Sequence, residues 1–193
     1  MIKKISSVLS SLLLVIILSS GMCGDEKQRG NISSANEIYT CLPCGNGCDT
    51  LVHKEPRGCE HCHMELVKKS TITHAVVLPE NLCSYITKTG IENIILLDVR
   101  TPEEFNGTAP DKFGRLKNAI NIPVQDLKER IKELDGYKGK QIIVYCSHSH
   151  RSPQASYMLT QNGFKQVTNM SGGMSVWKEK VKEACSDIIF VKQ

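Results

Sequence analysis

The sequence predicts an α/β domain of three layers with a parallel sheet, preceded by a small cysteine-rich module. Three apolar runs have the length of buried strands: Ile94–Asp98, Gln141–Tyr145 and Val167–Met170. Segments with helical spacing or helix-capping residues lie between them. Continuous apolar strands that alternate with helices indicate a parallel sheet covered on both faces, whose ligands bind at the carboxyl ends of the strands.

The first two helices are predicted from a cap and from apolar spacing. One begins at Thr101-Pro102-Glu103-Glu104, which has the threonine, proline and third-position glutamate of a capping box. The next covers residues 125–134, where apolar side chains share one face opposite charges.

The last two helices are predicted from glycine and proline. One covers residues 152–162, with Ser152 as N-cap, Pro153 at the first helical position and Gly163 after its end. The other follows Gly172-Gly173 and carries Trp177.

Cys146 stands between the second strand and the helix at residues 152–162, and we predict that it is a nucleophile. Four residues separate it from Arg151, the second predicted catalytic residue. A short loop in this place directs backbone N–H groups into a small cup, where the helix dipole adds positive potential. Such a cup binds an anion and stabilises a thiolate. The predicted active-site loop consists of Ser147, His148, Ser149, His150 and Ser152.

Two features of this loop leave alternatives open. His148 and His150 either raise the local positive charge and move protons or are exposed residues with no role. If the backbone at Ser149 needs a positive φ, serine is strained there.

Four motifs, in this order, resemble those of the rhodanese sulfurtransferase family. They are the segments at residues 96–105 and 114–123, Cys146-x4-Arg151-Ser152, and the segment at residues 172–177. Arg115 stands where the family usually has histidine. The resemblance covers residues 72–193 and implies a rhodanese-like domain that carries a sulfane sulfur as a persulfide on Cys146. It implies a small-molecule sulfur donor, such as thiosulfate or a persulfide, a thiophilic acceptor, and no cofactor at this site. It also implies that Asp98 and Arg100 mainly support the loop.

Two rival functions are weighed against sulfur transfer. Cysteine phosphatases and arsenate reductases also pair cysteine with arginine, but with five residues between them, which gives a wider cup. A non-enzymatic rival is a metal-binding or redox-relay lipoprotein that uses the rhodanese fold as a docking scaffold.

The module at residues 38–70 contains two Cys-x2-Cys pairs separated by fourteen residues. Two such pairs can direct four thiolates to one tetrahedral metal ion, which is typical of zinc ribbons. The predicted ligands are Cys41, Cys44, Cys59 and Cys62, and the spare donors are Cys48, His53, His61 and His63. The segment also resembles the small heavy-metal-binding domain found beside copper efflux proteins. Three possibilities stay open: a structural zinc, disulfides, and a transported or sensed metal such as copper or another soft metal.

The N-terminus predicts export. Residues 1–22 combine two lysines, a short apolar core and small residues, as in a signal peptide. Cys23 follows at once and is a candidate for lipidation, which would anchor the protein to a bacterial membrane on its periplasmic side. The alternative is cleavage after Gly21, which would release a soluble exported protein. Residues 23–37 are polar and predict a flexible tether.

The composition argues against nucleic-acid binding. The chain has 193 residues, a net charge of +4 and 5% aromatic residues, and its lysines are scattered. A basic stripe with interleaved aromatic residues is therefore missing from the sequence, and we predict no nucleic-acid partner.

Overall fold

The computed structural model describes residues 37–181 and 190–191, and the chain alternates between strands and helices over most of this part. The strands are β1 (Tyr39–Thr40), β2 (Val52–His53), β3 (Val67–Lys68), β4 (Ala75–Val77), β5 (Ile94–Asp98), β6 (Arg115–Leu116), β7 (Ile120–Asn121), β8 (Gln141–Tyr145), β9 (Val167–Met170) and β10 (Phe190–Val191). The helices are α1 (Pro79–Thr89), α2 (Pro102–Asn106), α3 (Leu127–Arg130), α4 (Arg151–Gln161) and α5 (Trp177–Lys180).

A sheet of five parallel strands forms the centre of the α/β part, in the order β4-β9-β8-β5-β7. The three strands predicted from the sequence are its three inner strands, with the predicted bounds. Each inner strand is buried on both faces, which is why it reads as a continuous apolar run.

The two faces of the sheet carry separate hydrophobic cores. Along β8, Ile143 and Tyr145 pack in a core that also contains Leu82 of α1 and Trp177 of α5. The alternate residues Ile142 and Val144, followed by Cys146, pack in the second core with residues of α3 and α4. Because successive side chains of a strand point to opposite faces, these two cores confirm the predicted arrangement of helix, sheet and helix layers.

Three predicted helices differ from those in the structure. The helix expected at residues 125–134 is α helical only over Leu127–Arg130 and continues as 3-10 helix over Ile131–Tyr137. The last helix is likewise short, with 3-10 helix at Met174–Val176 before α5. The helix after Cys146 begins at Arg151, with His150 in the capping position, so the prediction that Ser152 is the N-cap was wrong. Pro153 still lies in the first turn, where its missing N–H is not needed.

The cysteine-rich module has an antiparallel sheet of its own, in the order β2-β1-β3. Its interior is formed by cysteines together with Leu42, Met64 and Leu66. The module packs directly on the α/β part through hydrogen bonds at two places. Tyr157 of α4 shares a hydrogen bond of 2.9 Å with the hydroxyl of Thr71, and Asn169 Nδ2 donates to the carbonyl of Pro43 at 2.9 Å.

The predicted signal peptide at residues 1–22, the lipidation candidate Cys23 and the tether up to residue 36 lie outside the described residues. Within the described ranges, no helix has the length and apolar character needed to cross a bilayer.

Candidate active site and cysteine cluster

Cys146 lies directly after β8, at the carboxyl end of the central strand of the sheet. Its side chain is 1% exposed. The backbone N–H of Ser149 donates to Cys146 Sγ at 3.1 Å, and the thiol of Cys146 donates to Ser152 Oγ at 3.4 Å. The sulfur is therefore enclosed by the loop at residues 147–150, which we call the Cys146 loop, and by the first turn of α4.

Ser149 gives the Cys146 loop its tight turn. Its φ is 65°, in the left-handed region that residues other than glycine and asparagine rarely adopt. The strain expected from the sequence is therefore present. The turn directs the N–H of Ser149 at the sulfur, whereas its hydroxyl is buried and has no hydrogen-bond partner among the described residues.

The two histidines of the loop are exposed, and none of the described hydrogen bonds joins either of them to Cys146 Sγ. His148 is exposed and meets the ring of Phe113 edge-on, with 5.2 Å between the ring centroids. His150 is exposed at the start of α4, and its carbonyl accepts a hydrogen bond from Gln154.

Arg151 is held by Glu104, a residue that the sequence indicated only as part of a helix cap. Arg151 Nη1 and Nη2 donate to the two carboxylate oxygens of Glu104 at 2.6 and 2.8 Å. Arg151 Nη2 also donates to Ser147 Oγ at 2.8 Å, and the hydroxyl of Ser147 donates to Glu104. The three side chains therefore lock the Cys146 loop to the N-terminus of α2.

The carboxylate of Glu104 is stabilised in its charged form. It belongs to the predicted capping box, since its side chain accepts from the N–H of Thr101 and its N–H donates to Thr101 Oγ1. Burial by itself raises the pKa of Glu104, but the hydrogen bonds from Arg151 and Ser147 outweigh burial and lower it to about 2. In turn, the hydrogen bond to Glu104 raises the pKa of Arg151.

Asp98 and Arg100 form a second, fully buried ion pair at the end of β5. Arg100 Nη2 lies 2.6 Å from Asp98 Oδ2 and also donates to the carbonyl of Gly114 at 2.9 Å. These contacts hold the segment that leads into β6, and none of the described hydrogen bonds joins either residue to the Cys146 loop.

The segment after β9 supports the Cys146 loop from behind. The backbone N–H groups of Met174 and Ser175 donate to the carbonyls of Cys146 and Ser147, each at 2.9 Å. A Cβ at Gly173 would lie 2.4 Å from the carbonyl oxygen of Ser147, so only glycine allows this approach. The predicted Gly172-Gly173 motif thus has a packing function beside the active-site candidate.

The cysteines of the module lie close together, and four of them form a possible donor set that differs from the predicted ligand set in one member. The Sγ atoms of Cys41, Cys44, Cys48 and Cys62 all lie within 4.8 Å of one another. This set contains Cys48, which the sequence indicated as a spare donor, because the 3-10 helix at Gly47–Thr50 brings Cys48 Sγ to 3.7 Å from Cys44 Sγ. The cysteine Cys59 is also buried, and it contacts the cluster through Cys41 and Cys48.

The fold raises the pKa of some thiols of the cluster and lowers that of another. Burial and the neighbouring Cys62 raise the pKa of Cys41, and burial and the neighbouring Cys44 raise that of Cys48 to about 12. Burial also acts on Cys59, but N–H groups of Cys62 and His61 outweigh it and lower the pKa of Cys59 to about 6.

Asp49 lies beside Cys44 and was not among the residues predicted for the site. Its carboxylate accepts from the backbone N–H groups of Cys44 and Gly45, at 3.0 and 2.7 Å, and from the Cys44 thiol at 3.1 Å. It thereby shapes the turn that directs Cys44 inward.

The donor set fits a soft metal ion. Four sulfurs around a tetrahedral zinc are about 3.8 Å apart, given a Zn–S distance of about 2.3 Å. The pair Cys44–Cys48 is at 3.7 Å and the pair Cys41–Cys62 at 3.0 Å, so small side-chain movements suffice. These cysteines are all free thiols, as are Cys59 and Cys146, so disulfides do not replace the cluster in this structure. Cys83, to which the sequence assigned no role, is disulfide-bonded.

The fold and the site define an α/β protein with a buried cysteine in a tight loop at the carboxyl end of a parallel sheet. The Rhodanese-like domain family matches residues 85–180. A Bacillus subtilis protein, YqhL, is 36% identical over 95 residues, which are 49% of this chain and 69% of that protein. The thiosulfate sulfurtransferase PspE of Escherichia coli K12 is 34% identical over 86 residues, 45% of this chain and 77% of that enzyme. The chain belongs to the rhodanese-like family.

A third relative shows that the same domain occurs in larger proteins. The tRNA uridine(34) hydroxylase of Cytophaga hutchinsonii is 36% identical over 86 residues, 43% of this chain. The match spans only 26% of that protein. The likeness therefore concerns the shared domain alone.

Proposed function

We propose that this protein is an exported sulfurtransferase that carries a sulfane sulfur as a persulfide on Cys146 and passes it to a thiophilic acceptor. The observation that carries the proposal is the position of Cys146 Sγ, at the end of β8, with the N–H of Ser149 directed at it and the first turn of α4 beside it. Membership of the rhodanese-like family and the likeness to a thiosulfate sulfurtransferase support the same activity.

In the first half-reaction, the thiolate of Cys146 attacks the outer sulfur of a donor such as thiosulfate. The sulfur–sulfur bond of the donor breaks, sulfite leaves with the bonding electron pair, and Cys146 becomes a persulfide. The N–H of Ser149 and the dipole of α4 stabilise the negative charge on sulfur before and after the transfer.

In the second half-reaction, the acceptor attacks the outer sulfur of the persulfide. Cyanide gives thiocyanate, a thiolate gives a new persulfide, and in either case the electron pair of the broken bond returns to Cys146 as thiolate. The role of Arg151 is to position the loop, because its guanidinium already binds Glu104 and Ser147.

Cyanolysis of thiosulfate by the wild type and by Cys146→Ser tests the proposal. We expect thiocyanate formation by the wild type alone, and mass spectrometry after thiosulfate treatment should find one added sulfur on the peptide that contains Cys146. Sulfur on another cysteine, or equal activity of Cys146→Ser, would overturn it.

The second candidate function is a metal-binding or redox-relay protein in which the rhodanese fold is a docking scaffold. The burial of Cys146 to 1% exposure favours this candidate, since a sulfur donor must reach the thiol. The same assay separates the two, because a scaffold forms no persulfide. Phosphatase or arsenate reductase activity is disfavoured by the four residues between Cys146 and Arg151, one fewer than those enzymes use.

We also propose that the module binds one soft metal ion, zinc in the first instance and copper as the alternative. Cys41, Cys44, Cys48 and Cys62 would hold it. The ion would supply folding free energy to a segment whose interior is made largely of cysteine. Metal analysis of the purified protein, combined with a count of free thiols, tests this. Oxidised, metal-free cysteines would favour the disulfide alternative instead.

Export is proposed from the N-terminal sequence, with lipidation at Cys23 and release after Gly21 as the two outcomes. Cell fractionation of the wild type and of Cys23→Ala distinguishes them. A membrane-bound wild type and a released variant would indicate the lipid anchor, and protein retained in the cytoplasm would contradict export.

A further inference from the structure

A cleft of about 330 Å³ lies between the cysteine-rich module and the Cys146 loop. The turn at residues 44–46 of the module and His148 of the Cys146 loop both line it. Ser171 and Gly172, which follow β9, line it as well. The volume is at the lower end of the range for small-molecule sites.

The turn of the module is fixed against the α/β part at two points. Asn169 is fully buried at the end of β9, and its Nδ2 donates to the carbonyl of Pro43 at 2.9 Å. At Gly45, where φ is +86°, a Cβ would lie 2.5 Å from Ser171 Oγ. The turn therefore packs directly against the end of β9 and the residues that follow it. The same segment of the chain leads to Met174 and Ser175, whose N–H groups donate to the carbonyls of Cys146 and Ser147.

The cleft borders the Cys146 loop and presents one cationic side chain together with hydrogen-bonding groups. Lys180 of α5 and the imidazole of His148 line it, with Glu80 as the one carboxylate among its lining residues. His148 is two residues from Cys146 in the chain. Arg151, the positively charged residue that follows the Cys146 loop, is already paired with Glu104 and is 25% exposed at its side chain.

We propose that this cleft binds the anionic end of the sulfur donor, with Lys180 as the charged contact and the module's turn as part of the wall. This inference rests on the proposed sulfurtransferase function and assigns a substrate-binding role to the module. A donor such as thiosulfate carries two negative charges, and the ion pair with Glu104 leaves Arg151 little free charge to meet them. In the cleft, Lys180 supplies a positive charge from outside the Cys146 loop, and His148 supplies a hydrogen-bonding group from the loop itself.

The first experiment measures binding without turnover. Thiosulfate is titrated into the full-length Cys146→Ser protein, alone and combined with Lys180→Gln, at low salt. We expect Lys180→Gln to weaken thiosulfate binding about fivefold, with the difference shrinking at high salt, as for a partly exposed ion pair. Lys165→Gln, an exposed lysine that is not among the cleft residues, is the control and should bind as the parent protein does.

The second experiment tests the wall with a matched pair of glycines. Gly45→Ala places a Cβ against Ser171 at a φ of +86°, whereas Gly47→Ala, at the start of the 3-10 helix that follows the turn, meets nothing within 4 Å. We expect Gly45→Ala to raise the KM for thiosulfate about tenfold in cyanolysis, because a small displacement of a positioning contact is costly. Gly47→Ala should leave KM unchanged, and metal content is measured for both proteins to show that the cluster is intact.

The outcomes separate this inference from the proposed function. Equal thiosulfate binding by the Lys180→Gln and Lys165→Gln proteins, or equal KM values for the two glycine variants, would overturn the cleft while sulfur transfer by the wild type stands. Absence of sulfur transfer in the wild type would overturn the function itself, and the binding titration would still report whether the cleft holds the anion.

Discussion

Glu104 and Arg151 form a bidentate ion pair that joins the N-terminus of α2 to the first residue of α4. The two residues are 47 positions apart in the chain, and Ser147 of the Cys146 loop bonds to both. The geometry of the loop around Cys146 therefore depends on a side chain of α2. This relationship converts a helix-capping glutamate into a positioning residue of the proposed active site.

The ion pair predicts a specific loss of stability in acid. The pKa of Glu104 is about 2 in the folded protein, below its usual value of 4.5. A carboxyl with a lowered pKa contributes stability that is fully present above its unfolded pKa and is lost as the pH falls through the folded pKa. We expect the wild type to be more stable than Glu104→Gln at neutral pH, and the difference to shrink from about pH 4.5 to about pH 2.

Denaturant unfolding at several pH values measures this difference. Glu133→Gln is the control, because Glu133 makes a similar bidentate pair with Arg130 on an exposed surface. Exposed pairs contribute little, so its pH profile should follow that of the wild type. Parallel profiles for Glu104→Gln and the wild type would show that the pair does not stabilise the fold.

Arg151→Lys should not behave as a conservative change. Lysine keeps the charge but cannot bind both oxygens of Glu104 and the Ser147 hydroxyl with one planar group. We expect a drop in kcat of about tenfold, equivalent to ~1.4 kcal/mol of transition-state stabilisation. Arg130→Lys, which alters the exposed pair with Glu133, should retain wild-type kinetics. An unchanged kcat in Arg151→Lys would show that Arg151 does not position the Cys146 loop for sulfur transfer.

Ser149→Gly should stabilise the protein. Serine at a φ of 65° is strained, and its buried hydroxyl lacks a partner among the described residues. Relief of both outweighs the greater chain entropy of glycine in the unfolded state, and we expect a net gain of about 1 kcal/mol in the free energy of unfolding.

The matched control for this prediction is Asn118→Gly, since Asn118 has a φ of 60°. Asparagine tolerates the left-handed region, so the substitution there should gain less. If Ser149→Gly loses stability, the serine hydroxyl makes a contact that stabilises the loop. Cyanolysis by the same protein reports whether the strained serine contributes to sulfur transfer.

The inner strands of the sheet were predictable because their burial on both faces leaves an apolar run in the sequence. The edge strands β4 and β7 were not predicted, since two or three residues carry no readable period. Helix α1 was missed for a different reason: the residue at its N-cap is Leu78, which offers no polar cap. Its buried residues Leu82, Cys83 and Ile86 have helical spacing, and that pattern is the signal that was available.

The site was predictable where its residues are close in sequence. Cys146 and Arg151 share one loop, and the motif indicates both. Glu104 and Ser147 are far apart in the sequence and come into contact only in the folded chain. The capping box already accounts for a glutamate at position 104, so nothing in the sequence indicated a second role for it. The four-sulfur cluster was not fully predictable for the same reason. The two Cys-x2-Cys pairs indicate a ligand set from their spacing, whereas the 3-10 helix at Gly47–Thr50 brings Cys48 to the other sulfurs only in the folded chain.

The final prediction concerns that ligand set. If Cys48 completes the four-sulfur site, Cys48→Ser should weaken metal binding as strongly as Cys44→Ser does, because each removes one of the four Sγ atoms that lie within 4.8 Å of one another. Cys59→Ser should weaken it less, since Cys59 contacts the cluster without belonging to that set. Competition with a chromogenic chelator, monitored together with thermal unfolding, measures both effects. Removing the metal from the wild type should lower the unfolding temperature of the module, since ligand binding to the folded state alone stabilises it. Stronger loss in Cys59→Ser than in Cys48→Ser would restore the ligand set predicted from spacing and would require the turn that carries Cys48 to move away when the ion binds.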